Sequence, residues 1–226
     1  MRYLPIHLDT EGKTIIVVGG GEAAEAKLRT LVKTDANIIV LAKTLSPEIE
    51  KWYKSNKISW LRKNFEANDA AAALLVYAAT DDPEENSRIA GIARAQGVFV
   101  NAADQKPDCD FFTPALVDRS PVVVSIGTEG TAPGLARAIK ADLEGKLPSM
   151  TGALAVKIQK LREKVSHVIP HLAGRQKFWA DILSGKSLEG QLNLSPQEIR
   201  QRRPLSQQMG SGGTHPPHHR ENEIRL

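Results

Sequence analysis

The chain has 226 residues, 41% hydrophobic and 25% charged, enough for one good core and a smaller second unit of an ordinary globular protein. Its single cysteine, Cys109, excludes an internal disulfide framework, and no run approaches the roughly 20 apolar residues of a membrane helix. A formal charge of +4 argues only weakly for an acidic ligand and gives no ground for nucleic-acid binding. Met1 to Thr10 holds no long apolar h-region, so no signal peptide, no membrane attachment and a cytoplasmic location are expected.

In chain order, Leu4-Pro5-Ile6-His7-Leu8 is a short apolar lead-in. Ile15-Ile16-Val17-Val18 reads as a fully buried strand, followed at once by Gly19-Gly20-Gly21. From Glu22 to Thr34, Ala24, Leu28, Leu31 and Val32 recur at helical spacing, with Lys27, Arg29 and Lys33 between them. Strand, glycine turn, helix is the context that gives Gly19-x-Gly21-x-x-Ala24 a meaning. Gly19 permits the tight turn. Gly21 lets backbone N–H groups approach a pyrophosphate, and Ala24 lets helix and strand pack closely. The helix N-terminus adds partial positive charge. The alternative is a glycine-rich βα turn that binds nothing.

Asn37 to Ala42 is a second strand. Ser46-Pro47 starts a helix that runs to about Ser55. Ile58 to Leu61 is a third strand, Ala70 to Ala73 a helical turn, and Leu74 to Ala79 a fourth strand. Asp82 caps the next helix, which starts at Pro83 and ends at Gly97. Val98-Phe99-Val100 is a fifth strand. This alternation means βαβ units and a parallel sheet, with ligands at the carboxyl ends of the strands. Those ends are Gly19–Glu22, Lys43–Thr44, Thr80–Asp82 and Asn101–Asp104.

After Asp104 the pattern changes. Phe111 to Val117 and Val122 to Ile126 form a hairpin joined by Asp118-Arg119-Ser120-Pro121. A helix follows from Gly134 to about Leu143. Ala153, Val156, Leu161 and Val165 mark another, and Phe178, Trp179, Ile182 and Leu183 a third. Ser195-Pro196-Gln197-Glu198 is a capping box that opens a last short helix. Ser206 to Leu226, rich in Gln, Gly, Ser, Pro and His, reads as a disordered tail.

The second strand ends in Ala42-Lys43-Thr44, without the carboxylate that usually holds a ribose 2′-OH. Taken alone, Lys43 favours the 2′-phosphate of NADP; the alternative is an exposed lysine at a strand end. Asp104, after a buried strand at the ligand edge, is the candidate acid/base, and partial desolvation there would tune it for proton transfer. Asp108 and Asp110 lie in a proline-containing loop and rank lower. His7, His167 and His171 are scattered, and His215, His218 and His219 sit in the tail without fixed geometry. Cys109 has no partner for a zinc site, and the metal ligands, if the chain has any, are unknown at this stage.

Several stretches together resemble one family: Leu4-Pro5-Ile6, Val17-Val18-Gly19-Gly20-Gly21, Ala78-Ala79-Thr80-Asp81-Asp82 with Asn86, and Val100-Asn101-Ala102-Ala103-Asp104. Phe111 to Pro114, Asp118-Arg119-Ser120-Pro121, Gly130-Thr131-Ala132-Pro133 and Leu135-Ala136-Arg137 complete the ordered set, over roughly residues 1 to 205. The chain resembles the precorrin-2 dehydrogenase/sirohydrochlorin ferrochelatase family, the N-terminal module of sirohaem synthase. That resemblance implies an α/β fold: a Rossmann domain over 1–113, a dimerisation hairpin and helix over 114–148, and a helical domain over 149–205. It implies a homodimer that uses NAD⁺ to dehydrogenate precorrin-2 to sirohydrochlorin. In bifunctional members, insertion of Fe²⁺ then gives sirohaem.

The resemblance places the essential aspartate on Asp104. Together with the strand-end argument it puts the cofactor on Gly19, Gly20, Gly21, Glu22, Ala23, Lys43, Thr44, Thr80 and Asp81. Arg119, Thr131 and Arg137 are expected to meet the many-carboxylate tetrapyrrole. Family members use NAD without the usual ribose carboxylate, against the NADP inference from Lys43. Two residues depart from the family pattern: Asp35 stands near a usual glycine after a helix, and Glu129 fills the first of two usual glycines after the hairpin. The methylation step is expected to belong to another protein. The alternative function is a non-catalytic nucleotide-binding sensor on the same fold.

Overall fold

The computed structural model describes residues 2–184 and 194–201. The chain divides into two compact units: Met1–Pro114 with Gly127–Pro133, and Ala115–Ile126 with the residues from Gly134 onward.

The first unit alternates strands and helices: β1 (Thr14–Val18), α1 (Glu22–Leu31), β2 (Asn37–Leu41), α2 (Pro47–Lys54), β3 (Ser59–Leu61), α3 (Ala67–Ala70), β4 (Ala73–Ala78), α4 (Pro83–Ala95) and β5 (Phe99–Ala102). The sheet order is β3-β2-β1-β4-β5, and every pairing is parallel. The order reverses direction at β1, so a crevice opens between the carboxyl ends of β1 and β4, the place where open α/β sheets bind ligands. Four of the five β-branched residues of β1, Ile15 to Val18, are buried. Ile15 and Val17 face one layer with Leu28 and Leu31 of α1 and Ile49 of α2. Ile16 and Val18 face the other, with Ile89, Ala90 and Ala93 of α4. A continuous apolar run is what a strand covered on both faces requires.

Helix ends follow the expected chemistry. The Ser46 hydroxyl accepts from the Ile49 N–H, and the Asp82 carboxylate accepts from the N–H groups of Glu84 and Glu85, at 2.9 and 3.4 Å. Gly97, after α4, has φ +73°. One local expectation fails. Ala70 to Ala73 is not a helical turn, because α3 ends at Ala70 and Ala73 begins β4. The reason lies at Glu66, whose N–H donates to the Asp69 carboxylate at 2.8 Å and starts the turn earlier. Asp35, the first departure from the family pattern, does not adopt a positive φ, so no glycine is needed there.

The second unit contains an antiparallel hairpin, β6 (Ala115–Arg119) and β7 (Val122–Ile126), turned at a cis Ser120–Pro121 peptide. Phe111 to Pro114 does not join the strand as expected. The Phe111 carbonyl instead accepts a bond from Asn101, and the Thr113 and Tyr77 hydroxyls lie 3.4 Å apart. Then come α5 (Pro133–Lys146), α6 (Thr151–Val168), α7 (Leu172–Ser184) and α8 (Pro196–Gln201). Leu161 and Val165 of α6 pack with Phe178 and Ile182 of α7 and Ile199 of α8. The apolar stripe of α6 runs through Leu154 and Ile158, while Val156 is exposed. The Ser195 hydroxyl and Glu198 carboxylate form the expected capping box. The expected disordered tail, 206–226, lies outside the described residues, as does the side chain of Leu183.

Candidate functional site

The glycine turn is shaped by three different constraints. Gly19 has φ +124°, and a Cβ on it would lie 2.0 Å from the Ala79 carbonyl oxygen. A Cβ on Gly20 would lie 1.9 Å from the Thr44 carbonyl oxygen, and the Gly20 carbonyl accepts from the Ser46 N–H at 2.7 Å. These two glycines let the turn wedge between the ends of β2 and β4. Gly21 is different: a Cβ there would meet only the Asp81 carboxylate, at 3.5 Å, an ordinary contact. Gly21 is the N-cap of α1, without a side-chain cap, and its carbonyl accepts from Glu25. The N–H groups of Glu22, Ala23 and Ala24 therefore have no partner within the helix. An uncapped helix start beside a residue without a Cβ fits the pyrophosphate of a dinucleotide. Glu22 is exposed, and Glu25 is drawn aside by Arg29 and by the Ser46 hydroxyl, at 3.2 Å.

Thr80 and Asp81 follow β4 in a loop held from below. Asn86 of α4 is 3% exposed. Its amide oxygen accepts from the Thr80 N–H at 3.0 Å and the Thr80 hydroxyl at 2.8 Å, and its amide nitrogen donates to the Thr80 carbonyl at 3.1 Å. Lys43 and Thr44 are exposed at the end of β2. All nine expected cofactor residues thus lie along one edge of one sheet.

Asp104 follows β5 by two residues, on the same edge. Its φ is +56°, a left-handed conformation that aspartate tolerates better than most residues. It is exposed, so the expected desolvation does not occur. The loop behind it is firmly tied. Asn101, also 3% exposed, donates to the Phe111 carbonyl at 2.8 Å and to Cys109 Sγ at 3.4 Å. The Cys109 thiol donates to the Ala102 carbonyl at 3.1 Å, and burial pushes its pKa up, so it is a poor nucleophile. Asp108 accepts from the Ser87 hydroxyl and Asp110 from Arg94 and the Val100 N–H. Both carboxylates anchor the loop.

The expected substrate residues divide. Thr131 lies in the first unit, exposed, its hydroxyl bonded to the Thr128 carbonyl. Beside it Glu129 adopts φ +52° where the family pattern has glycine; its carbonyl accepts from Lys106 and its carboxylate from the Arg2 N–H. Arg119 and Arg137 belong to the second unit. Arg137 is exposed on α5. The Arg119 guanidinium donates to the carbonyls of Asp118, Glu144 and Leu147 at 3.0–3.1 Å, closing the end of α5. Sequence reasoning missed this structural commitment, because the partners lie 25 and 28 residues away. It also passed over Lys27, which is half-buried and whose pKa burial lowers, against the opposing charges of Cys109 and Asp104. Among the described residues, no group of three or more His, Cys, Asp or Glu is placed to hold a metal ion, and no helix is long and apolar enough to cross a membrane.

Comparison with known proteins agrees with both units. An NAD(P)-binding family model matches residues 6–115, and the model of the sirohaem synthase dimerisation region matches 150–205. The siroheme synthase of Sodalis glossinidius is 37% identical over 205 residues, which are 89% of this chain and 44% of that protein. That of Nitrosococcus oceani is 37% identical over 189 residues, 84% of this chain and 40% of that protein. The chain spans less than half the length of these curated relatives. The solved structure of SirC, precorrin-2 dehydrogenase, superposes with a TM-score of 0.69 at 24% identity, covering 88% of this chain and 98% of that one. By an NAD(P)-binding region and a dimerisation region in the matching order, the chain groups with the sirohaem synthases to which it is similar.

Proposed function

We propose that this protein is an NAD⁺-dependent dehydrogenase that oxidises precorrin-2 to sirohydrochlorin and works as a homodimer. The observation that carries the reading is the shared sheet edge: an uncapped, Cβ-free helix start at Gly21 and a carboxylate at Asp104 lie on the same carboxyl edge of the parallel sheet. Gly21 with the N–H groups of Glu22 and Ala23 would hold the pyrophosphate. Lys43 and Thr44 would meet the adenosine ribose, and Thr80 and Asp81 the nicotinamide half. NAD⁺, when bound, supplies a hydride acceptor.

The dehydrogenation removes a hydride and a proton from the macrocycle. Asp104 is the residue proposed to take the proton, at a carboxylate oxygen, and such a base commonly contributes about 10²–10⁴-fold. The exposed position of that residue lets the proton pass on to water. Asn86 keeps the Thr80 backbone from moving while this occurs. NAD⁺ rather than NADP⁺ follows the family pattern, in which no ribose carboxylate ends the second strand. The matched dimerisation region supports the homodimer.

The test is anaerobic. Precorrin-2 and NAD⁺ are mixed with the protein, and the visible spectrum should change to that of sirohydrochlorin as NADH appears. Bound NAD⁺ with an unchanging spectrum would favour the sensor reading instead. A second arm adds Fe²⁺ as substrate after the first step and reads whether the chain also inserts iron. A parallel titration with NADP⁺ decides the cofactor.

A further inference from the structure

α6 and α7 carry six Lys and Arg residues against two carboxylates, Glu163 and Asp181, an excess as large as that of the whole chain. On α1, α2 and α5, cations are paired about one turn away: Arg29 with Glu25, Lys51 with Glu48, Lys146 with Asp142. Arg162 of α6 forms no hydrogen bond or ion pair with any described residue.

Two stripes of side chains meet at a groove within the second unit. Ile158, Arg162 and Ser166 recur every four residues along α6, and Leu172, Arg175 and Trp179 share one face of α7. They line a cavity of about 530 Å³, within the range that holds small molecules. Ile158, Leu172 and Trp179 give it apolar walls. The Trp179 ring is half-buried and held by an edge contact with Phe178 of the core, ring centroids 5.3 Å apart at 81°. Arg175 is half-buried as well. Its Nη1 donates to the carbonyls of Ile169 and Pro170, at 3.2 and 2.6 Å, which fixes the side chain and leaves Nε and Nη2 as open donors. The Ser166 hydroxyl is already committed to the Glu163 carbonyl.

An apolar recess alone would take any hydrophobic partner. Two guanidinium groups, one from each helix, select an acid, because each matches a carboxylate as a fork. A fixed aromatic wall selects a flat partner. We infer that the α6/α7 groove is a ligand site for a flat ring that bears carboxylates: Trp179 meets the ring, and Arg162 and Arg175 meet two of its acid groups. The substrate proposed above is of this class, and in naming that class the inference rests on that reading.

The probe is uroporphyrin, a flat ring with carboxylates around its rim. Its affinity for the full chain is measured by calorimetry, with NAD⁺ affinity, melting temperature and the monomer–dimer equilibrium followed on the same proteins. Arg162→Glu should weaken the probe roughly 10-fold or more. NAD⁺ affinity and melting temperature should hold, because Arg162 is exposed. Trp179→Leu keeps an apolar wall but removes the flat face, and should weaken the probe about 3- to 10-fold. Lys164→Glu makes the same charge reversal about 200° round α6 and should change the affinity by no more than about twofold.

Equal losses from Arg162→Glu and Lys164→Glu would mean attraction by net charge alone and overturn the inference. So would displacement of the probe by equimolar inorganic phosphate, an unaltered affinity in Arg162→Glu, or a parent that does not bind the probe. A shifted monomer–dimer equilibrium with unchanged probe affinity would make the groove a subunit contact instead. Binding is read without turnover. A parent that binds the probe through Arg162 but does not oxidise precorrin-2 therefore overturns the dehydrogenase reading and leaves the groove standing.

Discussion

Gly20 and Thr44 leave no room for a side chain between them: a Cβ on Gly20 would sit 1.9 Å from the Thr44 carbonyl oxygen. Gly19 stands in the same relation to Ala79, at 2.0 Å, while a Cβ on Gly21 would make only an ordinary contact with the Asp81 carboxylate, at 3.5 Å. The three glycines should therefore separate in experiment. Gly19→Ala and Gly20→Ala force backbone to move and should cost several kcal/mol, on the order of the larger single-site losses, seen as a lowered melting temperature. Gly21→Ala should melt with the parent yet bind NAD⁺ at least about 10-fold more weakly, a loss of roughly 1.4 kcal/mol. Gly21→Asp, which adds charge beside Asp81, should abolish binding. Calorimetry and thermal melts on the four variants decide it; a Gly21→Asp protein with normal NAD⁺ affinity removes the turn from the cofactor site.

The left-handed backbone of Asp104 changes how its substitutions should be read. Asparagine accepts that conformation as readily as aspartate, whereas alanine pays about 1 kcal/mol for it. Asp104→Asn should melt with the parent, and Asp104→Ala should melt lower, independently of chemistry. Equal melting temperatures for the two variants would mean that the loop relaxes out of the left-handed state.

Asn86 holds Thr80 through three hydrogen bonds in a buried place. Asn86→Ala leaves the Thr80 backbone groups without these partners, at a cost of about 1–3 kcal/mol. Urea unfolding should show that loss, together with weaker NAD⁺ binding, because the β4 exit loop is no longer fixed. A stable variant with weakened binding would show that Asn86 serves the ligand alone.

In the second unit, Arg119 closes the end of α5, and Gly152 of α6 lies under the hairpin turn. A Cβ on Gly152 would be 2.0 Å from the Ser120 carbonyl oxygen and 2.4 Å from that of Arg119. Arg119→Met should cost about 1.5–3 kcal/mol, the range for hydrogen bonds made by a charged group, and Gly152→Ala should destabilise through the clash. Both effects should appear in thermal melts while NAD⁺ affinity stays unchanged. If Arg119→Met leaves the melting temperature intact but raises KM for the tetrapyrrole, Arg119 is a substrate residue after all.

Local chemistry written in adjacent residues was legible before any coordinates. The β-branched run Ile15–Val18, the glycine turn, the caps at Ser46 and Asp82 and the Ser195–Glu198 box each carry their cause within a few residues, and each forms as expected. What escaped depends on distant partners. Nothing near Arg119 announces Glu144 and Leu147. Phe111 to Pro114 has the composition of a strand, but Asn101 and Tyr77 claim it from elsewhere. Nothing in the sequence marks the left-handed φ of Asp104, whereas Glu129, also left-handed, stands where the family pattern has glycine.

The most direct test of the account is a single anaerobic comparison of the parent protein with Asp104→Asn, both saturated with NAD⁺ and given precorrin-2. NADH formation is followed alongside the sirohydrochlorin spectrum, and NAD⁺ affinity is measured on the same samples. The account predicts that the parent turns over and that Asp104→Asn binds NAD⁺ equally well but is slower by about 10²–10⁴-fold. An Asp104→Asn protein that keeps pace with the parent would contradict it, because the sheet edge would then need no proton acceptor at that position.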